Sequence, residues 1–329
     1  MKIFRRMARA VRQWLDRARM RREARRAFRY DERRFMRHAG VFAPGSASAD
    51  REEVIMAYHV LEKGLTMPHR RMGFGREAAL RLARLVSDFE RRHGAGDAQV
   101  CHAAGVLRAY RELHRDWPEP FTEIDDFLAA HPNVPAAVEP HVRRDDFYSR
   151  TSASFPEFAA SRHVVRHFAG PVPRDRIEEA VRIATTAPSA CNRQYARVHA
   201  IDDPSTRDWL FSRQRGTRGF GQDASVVLVV TADISCVRWG WERHDAFVNG
   251  GIFVMNLCYA LHYLGIAHCI LHWSVDPVFD AEAHRVLGIP ECEEIVQVLA
   301  CGMPPEEFDV AASPRRDVSE ILSWKAAGA

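Results

Sequence analysis

The stretch "HPNVPAAVEP", residues 131 to 140, sets three prolines in ten positions, and the periodicity of the chain changes across it. Proline lacks an N–H and clashes with a preceding helical turn, so no helix runs through such a segment. Before it, Arg51 to Lys63, Arg76 to Arg92, Ala98 to Arg115 and Thr122 to His131 carry apolar residues at helical spacing, which makes the first third all-α. After it, helices are predicted over 174–186, 247–264 and 281–287, and strands over 197–202, 225–231, 267–272 and 294–301. An earlier Pro/Gly/Ser stretch, "FAPGSASAD" at 42–50, reads as a linker or turn with Ser48 or Asp50 as a helix cap. The expected division is a basic helical segment over 1–48, a helical region over 49–145 and a mixed helix and strand region over 146–329. With 329 residues and 47% hydrophobic content the chain can bury a large core, and no fixed-period repeat indicates a solenoid.

Charge is uneven along the chain. Residues 1 to 40 hold fifteen Lys and Arg against Asp16, Glu23, Asp31 and Glu32, although the whole chain is only +4. Within that segment Ile3, Phe4, Met7, Val11, Trp14 and Leu15 recur at helical spacing with arginines between them, the pattern of a basic amphipathic helix. Two readings follow: attachment to an anionic membrane or an acidic protein partner, or a helix packed on its own domain with a solvated basic face. The segment has no apolar secretory core, and no apolar run is long enough to cross a bilayer; Ile252 to Ile270 is interrupted by Asn256, His262 and His268. Seven cysteines without a CxxC or other paired spacing read as reduced thiols of a cytoplasmic protein, with neither disulfide framework nor metal site. The arginines are not set in a nucleic-acid-reading motif, so no nucleic acid is expected as partner. Gly216, Gly219 and Gly221 lack the preceding strand that a dinucleotide fingerprint requires.

Four segments of the second half are rich in groups that hold an anion: "SRHVVRHF" (161–168), "APSACNRQ" (187–194), "NGGIFVMNLCYALHYLGI" (249–266) and "SPRRDVSEIL" (313–322). Guanidinium groups supply paired donors for a phosphate, which a lysine cannot match. In this order the segments resemble the FMN-dependent nitroreductase superfamily over roughly residues 150 to 325. That family carries R-x-S-x-R, then A-P-S-x-x-N-x-Q, then a core helix begun by D-x-G and ended by L-G-L, then G-x-P and an Arg-bearing tail. The resemblance implies an α+β fold, a central mostly antiparallel sheet flanked by helices, here preceded by an all-α N-terminal region. It further implies FMN as cofactor, NAD(P)H as electron donor and a homodimer with the flavin at the interface. Carried over residue by residue, Arg162, His163, Val164, Arg166, Pro188, Ser189, Asn192, Gln194, Arg315 and Arg316 become cofactor contacts, with the 188–194 loop lent to the neighbouring subunit. The chemistry is then the flavin's: a ping-pong cycle in which a small nitro, quinone or activated-alkene acceptor is reduced, with no catalytic side chain assigned.

Two departures matter: Val164 stands where the family has Ser, and Asn249 where it has Asp. The Ile234 to Val248 connection is also too short for the helices that cover the substrate pocket in typical members. "YHVLEKGLTMPHRRMGFG", residues 58 to 75, is a candidate replacement, with His59, Glu62, Arg70, Arg71 and Phe74 as candidate substrate contacts. Its "EKGL" helix resembles an extension of nitroreductase-like proteins linked with polysaccharide biosynthesis. The alternative from another class is a non-catalytic flavoprotein or scaffold recruited to a membrane-associated assembly by its basic helix.

Overall fold

The structure, a computed structural model, describes residues 2–38, 45, 47–137, 140–237 and 239–325; within these, the side chains at 2–5, 8, 30, 34, 35, 37, 38 and 48 lie outside the description. In chain order the helices and strands are α1 (Lys2–His38), α2 (Ala47–Leu65), α3 (Arg76–His93), α4 (Ala98–Leu113), α5 (Thr122–Ala130), β1 (His141–Arg143), α6 (Arg144–Tyr148), α7 (Phe155–Ser161), α8 (Arg174–Ala184), β2 (Ala196–Ile201), α9 (Pro204–Arg213), β3 (Val226–Asp233), α10 (Asp245–Tyr263), β4 (Ala267–Leu271), α11 (Pro277–Leu287), β5 (Glu293–Gly302), β6 (Glu307–Asp309) and α12 (Val318–Ile321). They gather into two compact units, one of α1 with residues 142–308 and one of α2 to α5 with the tail from Asp309. This grouping differs from the sequence expectation at both ends. The basic helix belongs with the mixed unit, and the Arg315–Arg316 tail belongs with the helical one.

In the mixed unit the sheet order is β2-β3-β5-β4, with every neighbouring pair antiparallel, as the resemblance implied. β3 is a continuous apolar run because it is central and buried on both faces. Its Val226, Leu228 and Val230 share a core with Ile177 and Ala180 of α8 and with Leu257 and Leu261 of α10. The β3–β5 register jumps from Val230↔Gln297 to Thr231↔Ile295, which leaves Val296 as a bulge. Gly250 of α10 sits against that bulge: a Cβ there would lie 2.7 Å from Val296. Close approach of helix to sheet therefore accounts for one glycine of "NGG". Helix α9 is an element that sequence periodicity missed. Its own signature is Asp203–Pro204, where the Asp203 carboxylate caps the helix by accepting the Thr206 N–H at 2.8 Å and proline occupies the first turn.

The helical unit packs Leu61, Leu82, Leu107, Tyr110, Phe121 and Ile124 into one core. The turn between α2 and α3 folds back on it. A Cβ at Gly64 would collide with the Phe74 ring at 2.1 Å, and the Tyr110 hydroxyl donates to the Phe74 carbonyl at 2.7 Å. Of the predicted break at 42–50, residues 42–44 and 46 and the side chain at 48, one of the two proposed caps, lie outside the description. Asp50 is not a cap, because α2 already begins at Ala47; its carboxylate instead accepts from Arg92 at 2.8 Å and His93 at 2.7 Å, tying α2 to the end of α3. Among the described residues no helix is long and apolar enough to cross a membrane.

Candidate functional site

Two arginines of the mixed unit, Arg162 half-buried and Arg166 buried, have no counter-ion among the described residues. Arg162 ends α7, and Arg166, 7% exposed, lies in the extended segment that follows. That segment is fixed by the Val165 N–H donating to the His268 carbonyl at 3.1 Å and the Ala169 N–H to the Met303 carbonyl at 2.8 Å. Arg162 Nη1 and Arg166 Nε are buried with no hydrogen-bond partner, and among the described residues no carboxylate pairs with either side chain. Each buried donor left unmade costs about 1–3 kcal/mol, and an unpaired buried charge costs more. The pair thus carries positive charge and buried donors that no carboxylate among the described residues meets.

The surrounding histidines sharpen this charge. His262 of α10 is pushed down to about 3, mainly by burial and then by the neighbouring His268, Arg162 and His163. His268 of β4 is pushed down to about 4, again mainly by burial, with Arg162 adding to the effect. Both are neutral at neutral pH and so add no positive charge to that of the arginines. Each ring is oriented: the Ser161 hydroxyl donates to the Phe158 carbonyl at 2.8 Å and so accepts from His262 Nε2 at 3.0 Å, while His268 Nδ1 donates to the Ile266 carbonyl at 3.1 Å. His163 sits beside them, its Nδ1 3.1 Å from the Ser161 carbonyl, and Val164 is half-buried. In the sequence His262 and His268 stand out only as polar breaks in an apolar run, because nothing there distinguishes them from core histidines.

The 187–195 loop is held in an uncommon conformation. Cys191, Asn192 and Gln194 have φ of 53°, 52° and 49°, a left-handed region that non-glycine residues occupy at roughly 1 kcal/mol or more each. Local bonds fix it. The Ser189 hydroxyl accepts the Gln194 N–H at 2.9 Å, and Asn249 Oδ1 accepts the Ala190 N–H at 2.8 Å while its Nδ2 donates to the Asp245 carbonyl at 2.6 Å. Arg193 points inward, donating to both oxygens of Glu242 at 2.9 Å, to the Cys236 carbonyl at 2.9 Å and to the Ala190 carbonyl at 3.1 Å. Asn192 and Gln194 remain exposed. Beneath the loop is a cavity of about 110 Å³ lined by Pro188, Ser189, Gln194, Tyr195, Asn249 and Phe253, and the buried Tyr195 hydroxyl has no partner. The bracing role of Arg193 was missed; the signal for it was the pair of acids, Glu242 and Asp245, in an otherwise short connection.

The structure does not bring loop and arginines together in one chain. The loop is tied to Asn249 near the start of α10, whereas Arg162 acts on Cys258 and His262 towards its end. Nine helical residues span about 13 Å. The connection from β3 to α10 is Ile234–His244, shorter than predicted because α10 begins at Asp245; among its described residues it holds two 3₁₀ turns, Ile234–Cys236 and Gly240–Glu242.

The remaining candidates belong to the helical unit. Glu62 is fully buried and accepts from His102 Nε2 at 2.7 Å and His59 Nδ1 at 3.2 Å. Burial works to raise its carboxyl, but the two histidine hydrogen bonds outweigh burial and hold it below the usual range. His102, on α4, was not foreseen. Phe74 is packed against Tyr110 and His114, Arg71 is exposed, and Arg70 lies 3.7 Å from Asp309. Arg316 pairs with Glu52, and Arg315 Nη1 donates to the Ser313 carbonyl at 2.5 Å. Among the described residues no three His, Cys, Asp or Glu are grouped to hold a metal ion.

Comparison with known proteins places these features in context. The model of the Nitroreductase family matches residues 159–214 and 204–303. An NADH dehydrogenase of Thermus thermophilus is 26% identical over 197 residues, 50% of this chain and 92% of that protein. A solved structure from Desulfovibrio desulfuricans, described as a nitroreductase in complex with FMN, is 21% identical and covers 52% of this chain and 96% of its own, with a TM-score of 0.44. A nitroreductase family protein of Streptococcus pneumoniae is likewise 21% identical, covering 52% of this chain and 100% of its own at a TM-score of 0.44.

Proposed function

We propose, from the membership of residues 159–303 in the nitroreductase family, that this chain is an FMN-dependent oxidoreductase working with NAD(P)H. The observation that carries the reading is the pair Arg162 and Arg166, two guanidinium groups each with a buried, unmade donor and, among the described residues, no carboxylate to meet them. A phosphate monoester, doubly charged with three acceptor oxygens, satisfies such a pair where a neutral ligand does not. When bound, FMN supplies the hydride and electron transfer between NAD(P)H and a small organic acceptor of nitro, quinone or activated-alkene type. The chain's own residues bind and orient. Arg162 and Arg166 hold the phosphate, neutral His262 and His268 line the cationic end without adding charge, and the Pro188–Gln194 loop forms a preset wall.

A homodimer completes the site, each copy lending its loop to the other. Two features support this: the distance along α10 between loop and arginines, and an exposed apolar stripe on the same helix, Val248, Ile252, Met255 and Tyr263. No side chain is assigned as general acid, which leaves the proton to water or substrate.

The test is spectroscopic. Purified protein is expected to be yellow, or to take up FMN with quenching of its fluorescence, and anaerobic NAD(P)H is expected to bleach the flavin band. Arg162→Ala and Arg166→Ala should each weaken FMN binding at least tenfold while the effect on riboflavin is small, since one charge-assisted pair contributes roughly 1.5–3 kcal/mol. A folded protein that stays colourless in excess FMN defeats the reading, and a bound flavin that NAD(P)H cannot reduce defeats its enzymatic part.

A further inference from the structure

We propose that the outward face of α1 is a docking surface for an anionic lipid bilayer, a property independent of the flavin reading. Among the described residues, the contacts that hold the helix to its own unit lie on one face. Ala24 lies under Gly240, where any Cβ on the glycine would come within 2.8 Å of it, and Asp31, two turns on, accepts from Arg243 and from His244 at 3.0 Å. At 100° per residue Ala24 and Asp31 fall on one line, and Met7, Val11, Trp14 and Leu15 fall roughly 80–180° away from it. Those four side chains are 61%, 55%, 67% and 53% exposed. On the turns that follow, the same outward arc carries Arg22, Arg25, Arg29 and Arg33, which with Trp14 and with Arg21 at the arc's edge line an open cradle. The surface is therefore apolar in its first half and cationic in its second, along a helix of 37 residues.

This division selects the occupant. Guanidinium forks match lipid phosphates, and basic residues near an anionic leaflet add their attractions. A cluster of Trp, Leu, Val and Met beside them has a use where an apolar phase adjoins the anions, as at the headgroup boundary, into which an interfacial helix sinks its apolar side. A nucleic acid would engage the arginines and leave the apolar half in water. Docking through Asp31 presets the helix, so the surface exists before any membrane is met.

The full-length protein is mixed with sedimentable vesicles of phosphatidylcholine alone or with about 30% phosphatidylglycerol, at low and at physiological salt. Co-sedimentation is expected with the anionic vesicles, weakening as salt rises, and not with phosphatidylcholine. Replacing Arg21, Arg22, Arg25 and Arg29 together with Glu should abolish it. Replacing Met7, Val11, Trp14 and Leu15 together with Ser should lower partitioning roughly tenfold or more at physiological salt. Circular dichroism on each variant confirms that the chain is folded. Failure of the folded wild-type protein to sediment with anionic vesicles overturns the proposal. So does unchanged partitioning of the Ser variant, or binding to duplex DNA without binding to vesicles.

Discussion

At the scale of single residues, the departure of Asn249 from the family's Asp is explained by what its amide does. One end accepts from the Ala190 N–H and the other donates to the Asp245 carbonyl, so the side chain spans loop and helix in both hydrogen-bonding senses. An ionised carboxylate can only accept. At this 6%-exposed position Asn249→Asp would set a negative oxygen against a carbonyl 2.6 Å away, with the Asp245 carboxylate nearby. Loss of one buried donor costs about 1–3 kcal/mol, so Tm at pH 7 should fall by roughly 2–10 °C. The loop should loosen with it, weakening flavin uptake. Below the carboxyl's own pKa the lost donor returns as an O–H, and the deficit against wild type should shrink. Thermal melts at pH 7 and pH 5 check this, and equal Tm values at pH 7 would show that the amide does not hold the loop. None of this pairing was visible in the sequence, where Asn249 was only an exception to a pattern; its partners lie 59 residues back and one helical turn back.

At the scale of elements, the short Gly240–Asp245 stretch does two jobs with alternate residues. Gly240, Arg243 and His244 receive α1, while Glu242 and Asp245 receive Arg193 of the loop. The Asp31 carboxyl is held down to about 2, chiefly by its hydrogen bonds from Arg243, so the clasp on α1 persists throughout the neutral and mildly acid range. Asp31→Asn keeps the shape but removes the charge. Limited trypsin digestion should then cut between Arg17 and Arg33 several-fold faster, with FMN uptake little changed because Glu242 still holds Arg193; an unaltered cutting rate would mean that α1 docks without this pair. Elements with a strong apolar period were legible in advance: β3 and α10 lie within two residues of the expected positions. The clasp was not, since a basic amphipathic pattern fits a free helix and a packed one equally, and only the fold brings Asp31 to residues more than 200 positions later.

For the whole molecule, the burial around the unmet donors of Arg162 and Arg166 sets a dependence of stability on pH. His262 and His268 are neutral in the folded chain down to about 3 and 4, whereas an unfolded histidine takes its proton near 6.5. Between those values the unfolded state binds more protons, so stability rises with pH through the window. The contribution is fully present above about pH 6.5 and is lost as pH falls towards the folded values. At pH 5 each histidine costs about 2 kcal/mol relative to neutral pH, a large share of the roughly 5–15 kcal/mol that holds a domain together. Carboxylates such as Asp31 and Asp203, both held near 2, add their own losses only below about pH 4, outside this range. Melts of the protein from pH 7 to pH 5 should therefore show a steep fall in Tm. His268→Gln, which keeps a neutral polar group on β4 but cannot titrate, should show about half that fall whatever its Tm at pH 7. Parallel curves for variant and wild type would mean that the buried imidazole is not what the acid attacks, and that the cationic end of the site is open to water instead of sealed around its two arginines.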